Sequence, residues 1–170
     1  MIDENISNPQ IGLLVGTKAP LFETKDINDN EINLSNLLKG DYRGILIDFF
    51  RGAWWHYWKL HLEKLNKSLS EIEKRKVKFM SIGTDKARPL KKLAEKNNYG
   101  FSIIPDTDAK ISKEYHNFGK PIDYDMIKFE LAIPSTYLIN LDGEIVWRYI
   151  GTKTDRPEID AILNAIDTKL

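Results

Sequence analysis

The sequence predicts an α/β fold, a three-layer α/β/α sandwich with a mixed central sheet and an N-terminal β-hairpin. The apolar run Gly44–Phe50 is interrupted only by Asp48, which is typical of a strand covered on both faces. Strand and helix periods then alternate along the chain, as in the βαβ units that build parallel sheets. Asp142-Gly143 lies between two alternating apolar runs and indicates an antiparallel hairpin, which makes the sheet mixed.

Length and composition indicate one globular domain. The chain has 170 residues, of which 42% are hydrophobic and 29% charged, as is typical of a folded domain with a single core. The first residues are polar, contain Asn8-Pro9 and show no period, so we predict a mobile N-terminal tail over residues 1–14. A single domain is predicted for residues 15–170.

The other elements follow from periodicity and turn residues. A turn at 28–30 joins two short strands into the N-terminal hairpin, and the central strand Gly44–Phe50 leads into a long helix at 59–74. The later elements are strand 77–83, helix 86–97, strand 101–104, helix 109–116, strands 131–139 and 144–150, and a last helix capped by Thr154 or Asp155 with Pro157 in its first turn.

A helical wheel separates the aromatic residues that open the long helix. Trp55 and Tyr57 fall on the two flanks, His61 near the edge of the apolar stripe and His56 on the far side. The core stripe consists of Trp54, Trp58, Leu62, Leu65, Leu69 and Ile72.

Charge and hydropathy argue against several classes of partner. The formal net charge is +0 and the pI about 6.8, which argues against nucleic acid and against an anionic membrane surface. No stretch approaches the roughly 20 apolar residues of a membrane helix, and the polar N-terminus does not resemble a signal peptide. We therefore expect a cytoplasmic protein.

The sequence predicts neither a metal site nor a cofactor. It contains no cysteine, which removes disulfides, thiolate ligands and every cysteine-based mechanism. His56 and His61 lack the i,i+4 spacing of a helical metal pair. Asp123, Asp125 and Glu130 lack the spacing of a calcium loop, and there is no glycine-rich phosphate loop.

Five motifs, in order, resemble the peroxiredoxin-like proteins of the alkyl hydroperoxide reductase and thiol-specific antioxidant family, which have a thioredoxin-like fold. Residues 16–22 resemble "G-x-x-A-P-x-F", residues 46–54 the start of "F-x-R-G-x-W-C-P-x-C", residues 81–85 "I-S-x-D", residues 104–108 "L-S-D" and residues 134–139 "P-x-T-F-x-I". The resemblance runs from residue 15 to residue 170. It implies a thiol peroxidase scaffold.

The chain departs from this family where the chemistry lies. The resemblance places the peroxidatic cysteine at Trp55, the following proline at His56 and the second cysteine at Trp58. A peroxidatic cycle needs a thiolate nucleophile, whereas an indole N–H is only a hydrogen-bond donor. We therefore predict no catalytic residue, and a degenerate site made of Arg51, Trp54, Trp55, His56, Tyr57, Trp58 and Pro134.

Two members of that site keep two interpretations each. Arg51 matches the motif arginine and either supplies positive charge at the pocket mouth or forms an ion pair at a strand end. Pro134 matches the cis-proline that faces the redox site of thioredoxin folds, where it serves the site, the turn or both. Trp54 and Trp58 are explained by core packing. For Trp55 and Tyr57 we predict packing or a subunit interface, that of a homodimer, ahead of a small-molecule pocket whose ligand the sequence does not identify.

Three functions are consistent with these residues. The first is a non-catalytic binding or assembly module derived from a thiol peroxidase. The alternative is an antioxidant thiol- or selenol-dependent peroxidase whose cysteine or selenocysteine positions, 55 and 58, are read here as tryptophan, because UGA can encode tryptophan or selenocysteine. The third is a different enzyme on the same scaffold, since a fold does not fix a function.

Overall fold

A computed structural model describes residues 11–52, 56–119, 131–152 and 155–170. Among these residues no helix is both long and apolar enough to cross a membrane. The elements are β1 (Glu23–Lys25), β2 (Glu31–Asn33), α1 (Leu34–Leu38), β3 (Gly44–Phe50), α2 (His56–Lys67), α3 (Leu69–Lys74), β4 (Val77–Gly83), α4 (Ala87–Asn97), β5 (Ser102–Pro105), α5 (Lys110–Glu114), β6 (Phe118–Gly119), β7 (Leu131–Ala132), β8 (Ser135–Asn140), β9 (Ile145–Ile150) and α6 (Ile159–Lys169).

The central sheet has five strands in the order β5-β4-β3-β8-β9. β3, β4 and β5 are parallel, whereas β8 is antiparallel to both β3 and β9. All seven residues of β3 are buried, as expected for a strand covered on both faces. The predicted mixed sheet is therefore confirmed. Asp48 at its centre pairs in register with Ser81 of β4 and Thr136 of β8.

Helices and the hairpin cover opposite faces of this sheet and complete the predicted three layers. We call the side packed against α2 and α6 the α2 face; its buried residues include Leu46, Phe50, Trp58, Leu62, Leu65, Leu138, Trp147, Ile162 and Ile166. We call the other side the hairpin face; its buried residues include Phe22, Ile32, Ile45, Ile47, Phe49, Tyr115, Tyr137 and Ile139.

The predicted N-terminal β-hairpin is confirmed in β1 and β2. The Asp26 carboxylate closes its turn by accepting hydrogen bonds from the backbone N–H groups of Asn28, at 2.8 Å, and Asn30, at 3.0 Å. Beyond the strand, the N–H of Ile27 donates to the carbonyl of Ile103 at 2.9 Å. The hairpin is therefore fastened to the edge strand β5.

The predicted tail is partly fixed to the domain. The N–H of Leu13 donates to the Tyr137 hydroxyl at 3.1 Å, and the buried Arg148 donates to the carbonyls of Ile11 and Leu13 at 3.0 and 3.1 Å. Residues 1–10 lie outside the described residues. The contacts of the domain therefore extend into the segment that the sequence assigned to the tail.

Three predicted boundaries are wrong. The helix predicted at 59–74 is two helices, because Ser68 adopts a non-helical conformation between α2 and α3. The strand predicted at 131–139 is interrupted at 133–134, since a proline cannot donate to a ladder. The N-cap of the last helix is Glu158, so Pro157 lies before the first turn. Of the two predicted caps, Thr154 lies outside the described residues, and the Asp155 carboxylate accepts from the Tyr149 hydroxyl at 2.8 Å.

Candidate functional site

Part of the predicted degenerate site falls outside the described residues. This applies to Trp54, to Trp55 and to the side chain of His56. The position at which the resemblance places the peroxidatic cysteine therefore has no structural description, and the site is built from its described members.

Trp58 lies in the core beneath the first turn of α2. Its side chain is buried and stacks on Phe50, with ring centroids 3.5 Å apart and an interplanar angle of 16°. The close approach depends on Gly83, where a Cβ would overlap the Phe50 ring. The indole Nε1 has no hydrogen-bond partner among the described residues. Position 58 is thus filled by a packed ring, as the wheel predicts.

Tyr57 lies on the outer surface of α2. It is 38% exposed, and Leu60, one turn further along the helix, is 44% exposed. Two large side chains with apolar surface are therefore accessible next to the degenerate site, as expected for a residue on the flank of the apolar stripe.

Arg51 is buried directly after β3 rather than exposed at the mouth of a pocket. It is 4% exposed, and its carbonyl accepts a hydrogen bond from the Thr84 hydroxyl at 2.8 Å. The backbone of this turn is therefore tied to the end of β4, at the edge of the sheet where parallel strands present their carboxyl ends.

Pro134 is buried at the entry to β8, and the peptide bond before it is trans. The described residues contain no cis peptide bond, which corrects the cis-proline implied by the resemblance. The trans isomer is the lower in energy by about 0.5–1 kcal/mol for an ordinary X-Pro bond. The Pro134 carbonyl accepts from the N–H of Gly151 at 2.7 Å, which extends the pairing of β8 and β9 by one residue.

Sequence reasoning missed a buried polar network on the α2 face. The Asp48 carboxylate lies 3.1 Å from Nε2 of His61 and accepts from the Thr136 hydroxyl at 3.0 Å and the Ser81 hydroxyl at 3.5 Å. All four residues are at most 3% exposed. The sequence did contain a signal for this network, namely the single carboxylate, Asp48, in the apolar strand β3. A buried carboxylate needs hydrogen-bond partners, so its position implied that such partners exist.

His61 connects this network to a surface cleft of about 200 Å³. One wall is the outer face of α2 and the other is the segment before α6. The residues lining the cleft are Tyr57, Leu60, His61, Lys64, Asp155, Arg156, Pro157 and Glu158.

The described residues offer hydrogen bonding and charge rather than metal or thiol chemistry. They contain no group of three or more histidine or carboxylate side chains that could hold a metal ion. A histidine oriented by a carboxylate at the base of a cleft can bind a polar group or move a proton.

Comparison with known proteins gives a consistent family. The AhpC/TSA family profile matches residues 15–148. Peroxiredoxin Bcp of Escherichia coli (strain K12) is 27% identical over 158 residues, covering 89% of this chain and 94% of the relative. Thiol-disulfide oxidoreductase ResA of Bacillus subtilis (strain 168) is 26% identical over 145 residues, covering 82% of this chain and 69% of the relative.

A solved structure shows the same fold. Peroxidoxin BcpB from Mycobacterium tuberculosis superposes with a TM-score of 0.76 at 15% identity, over 92% of this chain and 97% of the other. The predicted resemblance is therefore confirmed at the level of family and fold.

Proposed function

Because the chain belongs to the AhpC/TSA family and contains no cysteine, we propose that it is a non-catalytic member, a binding or assembly module on a peroxiredoxin-like fold. The absence of cysteine is the observation that carries the proposal. The family's cycle begins with a thiolate that attacks the peroxide oxygen, and the sequence contains no thiol.

The packing of Trp58 supports the proposal. The resemblance places the second motif cysteine there, and the indole fills its position by stacking on Phe50. Cysteine at position 58 would leave most of that ring's volume empty, which is costly in a close-packed core.

A peroxidase assay tests the proposal directly. The purified protein is incubated with hydrogen peroxide or an alkyl hydroperoxide, with thioredoxin or glutathione as reductant, after treatment with a chelator. The expected result is no turnover above the protein-free blank, with peroxiredoxin Bcp of Escherichia coli as the positive control. Turnover that survives the removal of metal ions overturns the proposal.

The codons at positions 55 and 58 test the alternative, a thiol or selenol peroxidase. UGG at both positions excludes it, because UGG encodes only tryptophan. UGA at either position, together with an intact mass that shows cysteine or selenocysteine in the natively produced protein, replaces the non-catalytic proposal.

The assembly function would use the aromatic surface near Trp55, with a second copy of this chain as the partner. Support comes from the exposed side chains of Tyr57 and Leu60 on the outer face of α2. Sedimentation velocity of Leu60→Ser tests it, and Leu141→Ser is a matched control, since Leu141 is also 44% exposed but lies in the β8–β9 turn. A dimer lost only in Leu60→Ser supports the proposal, whereas a monomeric wild type contradicts it.

A further inference from the structure

We infer that the cleft between α2 and residues 155–158 binds a small monocarboxylate through the imidazole of His61. His61 is 3% exposed, yet it is one of the residues that line the cleft. A polar side chain this deeply buried normally has a partner for each polar atom. In His61 the two ring nitrogens differ in this respect.

Asp48 is hydrogen-bonded to one ring nitrogen of His61, which fixes the orientation of the imidazole. Its Oδ1 lies 3.1 Å from Nε2 of His61 and also accepts from the Thr136 hydroxyl at 3.0 Å. Nε2 of His61 thus faces the Asp48 carboxyl group on β3, and the ring cannot turn without breaking this hydrogen bond.

The second ring nitrogen, Nδ1, is left for a ligand. Asp48 is the only hydrogen-bond partner of the His61 ring within the described part of the chain. An imidazolium donates one hydrogen bond from each nitrogen, and such charge-assisted bonds are stronger than neutral ones. A carboxylate oxygen in the cleft would accept the bond from Nδ1. His61 would then lie between two carboxylates, one from the protein and one from the ligand.

The charged groups at the cleft are balanced, which limits how much negative charge a ligand can bring. Two cations and two carboxylates line it, and the Asp48–His61 pair beneath adds one charge of each sign when the ring is protonated. Those six groups are Lys64, Arg156, Asp155, Glu158, Asp48 and His61.

Their balance leaves no excess positive charge for a polyanion such as a phosphate dianion. A monocarboxylate brings a single negative charge to the histidine, and the exposed ammonium of Lys64 lies on the wall beside it. The apolar surfaces of Tyr57 and Leu60 suit the short carbon chain of such a ligand.

This inference goes beyond the proposed non-catalytic function. A peroxidase assay reports on thiol chemistry, and a titration with a carboxylate reports on the cleft. The two experiments can therefore fail independently. The peroxidase assay does not depend on ligand binding at His61, and the acetate titration does not depend on a thiol.

Histidine NMR tests the inference on the unaltered protein. Sodium acetate is titrated at constant ionic strength against sodium chloride, and the imidazole ¹⁵N and ¹³C resonances are followed. We expect a saturable shift of the His61 resonances with a dissociation constant of about 1 mM or weaker, because the ligand has few atoms. His116, exposed after α5, is the internal control and should not shift with the same curve.

Acetamide distinguishes a carboxylate site from a general polar pocket. It has nearly the shape of acetate but carries no charge, so we expect it to bind about tenfold more weakly or not to bind measurably. Equal shifts from acetate and acetamide overturn the inference, as does the absence of any saturable acetate shift at His61.

Two lysines on α2 provide a matched pair of variants. Lys64 lines the cleft, whereas Lys67, also exposed on the same helix, does not. Lys64→Ala should weaken acetate binding several-fold, and Lys67→Ala should leave it unchanged. Equal weakening by both variants would indicate general charge attraction and contradict a defined site.

Discussion

The two faces of the central strand β3 are built differently. On the hairpin face, Phe49 packs against the rings of Tyr115 and Tyr137, with centroids 5.1 and 5.9 Å away. On the α2 face, the next residue toward the N-terminus, Asp48, holds His61 and Thr136 in a buried polar network. Adjacent residues of one strand thus contribute to an aromatic core on one side and to a buried hydrogen-bonded network on the other.

The difference lies in what each face carries besides its apolar core. Apolar packing is non-directional and stabilises the domain without specifying any chemistry. A buried ion pair is weak evidence for stability, because desolvation offsets much of its attraction. The polar network also lies next to the cleft that His61 lines. Both faces therefore stabilise the fold through apolar cores, and we propose the α2 face, which also carries the polar network, as the place of the function.

The largest expected effect is the loss of the Trp58 ring. Trp58→Ala should lower the free energy of unfolding by about 3–5 kcal/mol, because it removes a fully buried aromatic side chain and leaves a cavity against Phe50. Trp58→Phe keeps an aromatic ring and should cost clearly less. Urea unfolding followed by circular dichroism measures both; equal costs would contradict the stacking argument.

The next prediction compares the two faces through two neighbouring residues of β3, Asp48 on the α2 face and Ile47 on the hairpin face. Asp48→Asn should cost about 1–3 kcal/mol, because the charged partner of His61 is lost while the side-chain shape is kept. Ile47→Val on the hairpin face should cost about 0.5–1.5 kcal/mol.

Acetate binding distinguishes these two variants more sharply than stability does. It should be lost in Asp48→Asn and retained in Ile47→Val. If both lose it, the binding depends on general rigidity, and the contrast between the faces disappears.

Alkaline pH should destabilise the protein through tyrosines on both faces. Burial raises the pKa of Tyr99 to about 12, with a further increase from the charge of Glu63. Burial also raises the pKa of Tyr115, with smaller contributions from Tyr137 and Glu114. Since the folded state binds these protons more tightly, their stabilisation is complete below the ordinary tyrosine pKa of about 10 and is lost as the pH rises further.

Unfolding curves between about pH 9 and pH 12 measure this loss, with the near-ultraviolet absorbance of ionised tyrosine as the second signal. Tyr115→Phe should flatten the dependence on pH. An unchanged slope in that variant would show that Tyr115 does not contribute.

The smallest effect is expected at a carboxylate on the surface. Hydrogen bonds from Arg75, at 2.8 and 3.3 Å, join α3 to Asp167 on α6 and lower the pKa of that carboxyl below 3.8. Its stabilisation is present above the ordinary pKa and is lost as the pH falls through the lowered one.

Asp167→Asn should therefore change the melting temperature only slightly, and less in high salt. Thermal unfolding at two ionic strengths measures it. If Asp167→Asn destabilised the protein as much as Asp48→Asn, the exposure of Asp167 and the burial of Asp48 would not explain their contributions to stability.

Local patterns predicted the sheet and the core because they are read over a few residues. The apolar run, interrupted only by Asp48, identified β3 as central, and the wheel placed Trp58, Leu62 and Leu65 correctly in the core. The family followed from motifs whose order and spacing are also readable along the chain. The break at Ser68 was missed because the apolar stripe continues through it.

The polar network could not be predicted in the same way. Asp48 contacts His61, 13 residues later, and Thr136, 88 residues later, and both contacts depend on how α2 and β8 are placed on β3. Periodicity marked His61 as the edge of a stripe but gave no partner. The trans bond before Pro134 was also missed, because a motif match carries the residue type and not the isomer of the bond.

The attachment of residues 11–13 limits how far the protein can be shortened. Gly12 has a φ of 77° and lies where a Cβ would overlap the Tyr137 hydroxyl, so other residues are poorly tolerated there. The Arg148 guanidinium donates hydrogen bonds to two carbonyls of this segment, those of Ile11 and Leu13. A version trimmed to begin at Ala19 would leave that buried guanidinium without them. An affinity tag or a fusion partner is therefore best joined before Ile11, where it disturbs none of these bonds.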